Sequence, residues 1–256
     1  MPTPFMHLYI AEQIKNSLQD QLGYGGNLSV LLEDEWPAFC FGNVAPDYQT
    51  LCGVPREETH FYGLPPAPDN EAYPRMLAQY PQLAKRNDLP DDQAVFIAAY
   101  SAHLMLDLIW FRQIVVPNFY NAPQIGDIRA RHLLHLILLS YLDKLAFESL
   151  PNSAGDILAD AHPINWLPFA ADEDLRTWRD FLVQQLRPGG RSQTVEIYAE
   201  RLQMTAAAFA DKLDDGVWLK KNLFAQVQVT TVQEVLTASV PATIRLINRY
   251  LDGELK

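Results

Sequence analysis

Residues 91–117 read DDQAVFIAAYSAHLMLDLIWFRQIVVP, and the fold follows from how this stretch is read. From Val95 to Val116 the run is almost wholly apolar, interrupted by His103, Asp107, Arg112 and Gln113. Charges at mid-span are expensive in lipid, so the reading is a buried core helix rather than a membrane span. Pro90, Asp91 and Asp92 open it with acids in the first turn, and Pro117 is expected to close it. On a 100° wheel His103 and Asp107 are neighbours at i and i+4, on a face shared with Phe96, Tyr100, Trp110 and Ile114. A core helix therefore carries an imidazole and a carboxylate side by side.

Helical periodicity extends outward from there. From Phe5 to Gln19, Leu8, Ile10, Ala11, Ile14 and Leu18 form one apolar face opposite Glu12, Gln13, Lys15 and Asn16. A Gly-rich break at Gly23 to Gly26 precedes a short helix across Leu28 to Asp34. Trp36 to Tyr73, punctuated by six prolines between Pro37 and Pro68, reads as one long connection. A helix apolar nearly all round is expected from Asp127 to Glu148, then an irregular segment from Leu150 to Ala171. Further helices are expected near Asp172 to Arg187, Gln193 to Leu213 and Val232 to Leu251, with Pro241 kinking or restarting the last. Gln226 to Val232 alternates like a strand, but a single short strand has nothing to pair with. The class is all-α, a multi-helix single domain spanning residues 1–256.

Composition narrows the partners. The 256 residues carry 20 Lys plus Arg against 31 Asp plus Glu, a net charge of −11. That sign disfavours a nucleic-acid backbone or anionic lipid as the main partner, because both select cations. It does not exclude chemistry on one phosphate group, since a bound metal reverses the field locally. The start, MPTPFMHLYIAEQ, shows no basic segment followed by a cleavable apolar one. Cys40 and Cys52 are read as free thiols in a reducing, cytoplasmic setting.

Several polar residues do not belong where they stand. Burying the Asp107 carboxylate alone costs several kcal/mol, so it needs a partner. That partner is either His103 itself or a metal ion. His7 lies at the centre of the first helix's apolar face and is either a satisfied core residue or a ligand. Asp47 closes FGNVAPD after Pro46, and His60 stands in ETHFYG; alone, the first reads as a turn residue and the second as nothing.

Taken in order, His7 in an N-terminal helix, FGNVAPD ending at Asp47, THF at His60 and YSAHLMLD with His103 and Asp107 resemble the zinc-dependent phospholipase C family. The resemblance covers Met1 to about Pro117. It implies the all-α fold that this family shares with S1/P1-type nucleases, built around a cluster of zinc ions. Carried over, His60 and His103 are nitrogen ligands, Asp107 binds and bridges ions, and His7 holds a further ion. Asp47 is a ligand or the general base. Imidazole and carboxylate suit zinc, although other divalent metals share that preference.

The chain also departs from the family pattern. Secreted members begin their mature chain with a Trp whose amino group and carbonyl bind metal, and this chain begins Met-Pro. Ungapped register places Gln113, Asp127 and Arg131 where the family keeps His, His and Glu for another zinc. Asp127 is expected to pair with Arg131 at i,i+4, with a ligand role as the alternative. His132 and His135, on the same helix, are core residues or substitute ligands. His162 is read as structural or surface. Trp166 and Trp178 are read as core, with a cavity wall as the alternative.

The resemblance implies a phosphoester hydrolase with one or two zinc ions, whose bound water attacks phosphorus. The substrate would be a phospholipid head group or a soluble phosphoester, and a nuclease is disfavoured because no basic groove is suggested. A non-catalytic metal-binding or interaction module is the competing expectation.

Overall fold

The computed structural model describes residues 1–20 and 26–255, and the described residues contain helices and turns with no strand. Most of the expected Gly-rich break at Gly23 to Gly26 lies outside the described residues. The N-terminal helices are α1 (Pro4–Asp20), α2 (Gly26–Asp34) and α3 (Trp36–Gly42). After a tight helical turn at Ala45–Tyr48 come α4 (Gln49–Cys52), α5 (Arg56–His60) and α6 (Ala72–Gln79).

The stretch between Trp36 and Tyr73 is thus not one open connection but a chain of short helical pieces. The prolines that read as breaks open several of them: Pro37 and Pro46 stand in first turns, and Pro55 is the cap of α5. Proline suits that position because the first helical N–H groups have no intrahelical partner to lose.

The decisive stretch is helix α7 (Asp91–Trp110), beginning after Pro90. It does not stop at Pro117: wider helical turns carry it from Phe111 to Tyr120 with Pro117 inside. A wider turn tolerates the missing N–H and relieves the ring's clash with the preceding turn. By length and composition 91–120 is apolar enough to cross a membrane, yet 89% of its apolar window is buried inside the protein. It spends that surface on α3, on α6 and on a late helix described below. Gly42 allows the close approach of α3: a Cβ there would fall on the Phe96 carbonyl oxygen and 2.6 Å from the Ala99 Cβ.

The second long helix, α8 (Ile128–Ser149), packs along α1. The segment expected to be irregular holds α9 (Ala154–Ala159), packed on α10 (Asp172–Leu186). The helix expected from Gln193 to Leu213 is two, α11 (Thr194–Arg201) and α12 (Ala206–Asp214). Gln203 at φ 56° turns the chain between them, and the Thr205 side chain caps α12 by accepting from the Ala208 N–H. A single turn, α13 (Gly216–Trp218), leads towards α14 (Val229–Leu251), which packs on α7 and α1. Pro241 lies within α14 without restarting it, and the strand-like alternation at its start is helical from Val229. One apolar cluster runs from Phe5 to Leu255.

Candidate metal centre

Five polar residues from separate elements meet inside this core. His7 comes from α1, Asp47 from the turn after α3, His60 from the end of α5, and His103 and Asp107 from α7. All three histidines and Asp107 are fully buried, and Asp47 is partly exposed. The His7 Nε2 lies 3.5 Å from Asp107 Oδ1; His60 Nε2 lies 3.5 Å from both Asp107 Oδ2 and Asp47 Oδ1. His103 Nε2 is 3.8 Å from Asp107 Oδ2, so the i,i+4 pair is adjacent without being hydrogen-bonded. The rings of His7 and His103 stack at 3.7 Å with an interplanar angle of 10°.

The surroundings fix which nitrogen each imidazole leaves open. His103 Nδ1 is 2.8 Å from the Asn43 carbonyl, which can only accept, so Nδ1 carries the proton and Nε2 keeps its lone pair. Thr59 Oγ1 donates to the Arg56 carbonyl at 3.2 Å, so it accepts from His60 Nδ1 at 2.7 Å. Again the lone pair is left on Nε2. Asn43 is held in turn by its Nδ2 donating to the Phe39 carbonyl, and Tyr100 anchors the α5 turn by donating to the Thr59 carbonyl at 2.6 Å. Such outer bonds orient imidazoles towards a metal and raise their basicity.

Electrostatics act in the same direction. Burial pushes His7 down to about 4, and His103 beside it adds to the shift. Burial likewise lowers His60 and His103, so all three are neutral near pH 7. Burial pushes the Asp107 carboxyl up, but His103, His7, Arg56 and His60 outweigh it and hold it well below the usual carboxylate range. Burial also pushes Asp47 up, and His60 with His103 reverses that to about 2. Neutral imidazoles and ionised carboxylates are the protonation states that metal ligation requires.

The remaining observation is what these atoms lack. His7 Nδ1 and Nε2, His60 Nε2, His103 Nε2 and Asp107 Oδ1 are buried and without a hydrogen-bond partner. Several orphaned polar atoms at one buried point are costly unless something binds them. Two groups have their donor atoms within 4.8 Å of one another: His7, His103 and Asp107; and Asp47, His60 and His103. These residues fit zinc. His103, with a single free nitrogen, belongs to both groups.

The match to known sequences agrees with this geometry. The family model for zinc-dependent phospholipase C matches residues 6–184. The chain belongs to the zinc-dependent phospholipase C family. No curated protein and no solved structure matches it. The family's zinc dependence and the donor groups above together support a metal cofactor. The match also runs beyond Pro117, where the sequence resemblance ends, to include α8, α9 and most of α10.

At the three positions where the resemblance leads one to expect further ligands, the side chains lie away from the donor groups. Gln113 is exposed on the wide-turned extension of α7. Asp127 caps α8, its Oδ1 accepting from the Ala130 N–H at 2.8 Å. The expected Asp127–Arg131 salt bridge does not form, because the Arg131 guanidinium is turned to backbone carbonyls. Arg131 donates instead to the carbonyls of Phe119 and Tyr120 and to the Asp127 backbone. His132 is exposed, and His135 accepts from Trp110 Nε1 at 3.1 Å; neither belongs to a donor group. His162 is exposed as expected.

A cavity of about 490 Å³ reaches this centre, with Asp47 and Arg56 in its wall. The rest is mainly apolar and includes Phe5, Phe111, Leu139, Trp178 and Phe181. Trp166 is buried in the core, whereas Trp178 is both buried and part of this wall, donating to the Val44 carbonyl at 2.8 Å. Leu64, Tyr120 and Ile128 also line it and are among the exposed large apolar residues. Arg56, Tyr62 and Thr59 were missed by sequence reasoning. Arg56 stands four residues before His60 in REETH, a signal that becomes visible only once 56–60 is known to be a helix.

Proposed function

We propose that the chain is a metal-dependent phosphoester hydrolase, with one or two zinc ions held by His7, Asp47, His60, His103 and Asp107. The convergence of orphaned buried lone pairs supports this most directly. When bound, zinc would lower the pKa of a coordinated water and offset negative charge on phosphate oxygens. Asp107 would supply the anionic centre of the ligand set. His60 and His103, locked by Thr59 and Asn43, would present Nε2 without reorganisation. Asp47 alone of the two carboxylates faces the cavity, and it is ionised throughout the neutral range. It is thus the group placed to orient or accept a proton from an attacking water. The apolar cavity wall and rim favour an amphiphilic phosphoester, with its phosphate at the Asp47–Arg56 end and its apolar part along Phe5, Phe111 and Phe181.

A second reading is a metal-binding module without catalysis. The commitment of Asp127 and Arg131 to capping and backbone bonds favours it, because the family's additional ligand set is absent there. One experiment separates the two. Protein purified without chelator is assayed for zinc per chain and for hydrolysis of bis-p-nitrophenyl phosphate and of phosphatidylcholine in mixed micelles. Hydrolysis that disappears in Asp107→Asn together with the metal supports the enzyme. Bound zinc with no turnover on either substrate supports the module. No bound metal refutes both.

A further inference from the structure

We infer that Arg56 is the phosphate-binding residue of this site, the fixed cation that takes the place of an additional metal ion; the inference rests on the hydrolase reading above. Arg56 opens α5, one helical turn before His60, so the element that delivers a metal donor also delivers a guanidinium. Its Nη2 donates to Asp107 Oδ2 at 2.6 Å and to the Tyr62 hydroxyl at 2.8 Å. Tyr62 in turn donates to the same carboxylate oxygen at 2.9 Å, and the guanidinium lies 4.6 Å from its ring centroid. One side of the fork is therefore clamped in place.

The other side is free. Arg56 Nη1 is buried and has no hydrogen-bond partner, and Arg56 lines the cavity beside Asp47. A structural arginine that only neutralised Asp107 would not need to keep a donor unpaired at a cavity wall, where an unsatisfied charged donor is costly. A planar guanidinium with one edge anchored and the other unpaired is suited to a phosphate oxygen. Arg201, the other arginine in that wall, lies over the Tyr198 ring at 5.4 Å. The positions of the absent ligand set, Gln113, Asp127 and Arg131, offer no substitute, since Arg131 is spent on backbone carbonyls. An anion entering this mainly apolar cavity meets Arg56 where it meets Asp47.

The test compares the zinc-loaded full chain with Arg56→Gln and Arg56→Lys, measuring zinc per chain, inorganic phosphate affinity by calorimetry, and kcat and KM separately. Arg56→Gln should keep its zinc and weaken phosphate binding by about 10- to 100-fold, the size of a charge-assisted bond. Arg56→Lys should recover part of that, because it keeps the charge and loses the fork. Phosphate binding unchanged in Arg56→Gln overturns the inference. So does loss of zinc in parallel with phosphate, which would make Arg56 only a support for Asp107. If Arg56→Gln fails to fold, Arg56→Lys decides: an affinity equal to wild type overturns the assignment, and a weakened one at full zinc supports it. A wild-type chain that binds phosphate through Arg56 but hydrolyses nothing sinks the hydrolase reading alone. Hydrolysis unaffected by Arg56→Gln sinks this inference alone.

Discussion

Asp107→Asn should destabilise the protein far more with zinc present than with zinc stripped away, and the size of that gap follows from what Asp107 touches. Among the described residues the carboxylate's hydrogen bonds come from Arg56 and Tyr62, and its three histidine neighbours stand at 3.5–3.8 Å. Asparagine keeps an acceptor for both bonds and loses the ion pair. Arg56 has a side chain 19% exposed, so water screens its charge, and the loss is discounted from the buried-pair range to about 1–2 kcal/mol. With free zinc at a hundred times its dissociation constant, binding adds about 2.7 kcal/mol to the wild type. If losing the anionic ligand weakens zinc about a hundredfold, most of that is forfeited, and the mutant's deficit grows by about 2 kcal/mol. For a chain of this size that is a further fall of roughly 4–8 °C in Tm. Thermal melts of both proteins, each with zinc and with chelator, measure the four values required. An equal Asp107→Asn penalty in both conditions would refute the assignment of Asp107 as a ligand.

Three further outcomes are expected. In the chelated protein burial holds the folded pKa of His7 at about 4, below the ordinary imidazole value of about 6.5, so its stabilising contribution is complete above pH 6.5 and is lost as pH falls towards 4. At pH 5 this amounts to about 2 kcal/mol, measurable by urea unfolding at pH 7.5 and 5; His7→Gln should remove that part of the pH dependence, and an unchanged slope would count against it. Thr59→Val removes the acceptor that holds His60 Nδ1–H and should weaken zinc by about 10- to 100-fold in a competition titration, as outer-shell losses do. Gln113→Ala, at an exposed position, should leave zinc per chain unchanged and stability within about 0.5 kcal/mol; lost zinc would make Gln113 a ligand after all.

What could be read in the sequence depended on how each residue earns its place. The 91–117 stretch declared itself because apolar continuity over that length has few structural uses, and His103 with Asp107 stood out against it. His7 stood out against the periodicity of α1 in the same way. Arg56 and Tyr62 had no such background, since charged and aromatic residues in a proline-rich segment look solvated until the chain is seen to turn inward. Prolines misled for a related reason: Pro37, Pro46 and Pro55 begin helices, and a proline that starts a turn is spelled the same as one that stops it. Asp127 misled through its spacing to Arg131, which invites a salt bridge, whereas Ala130 offers an unpaired N–H closer along the chain. The cavity walls beyond residue 170 come from elements distant in sequence, so no local pattern could assemble them.

The charge at the centre ties these parts together. The histidines are neutral, so two carboxylates against one guanidinium leave a single negative charge in a buried place lined with open lone pairs. A protein with a net charge of −11 would then present a negative core to a negative substrate, which is the wrong sign for any phosphoester. One divalent ion turns that centre net positive by one charge, and two turn it positive by three. The guanidinium at the cavity wall adds direction to that charge, because a planar fork of donors is directional where an ion offers only a field. Metal loading would therefore act twice, satisfying the polar atoms that the core strands and reversing the sign that phosphate meets on entry.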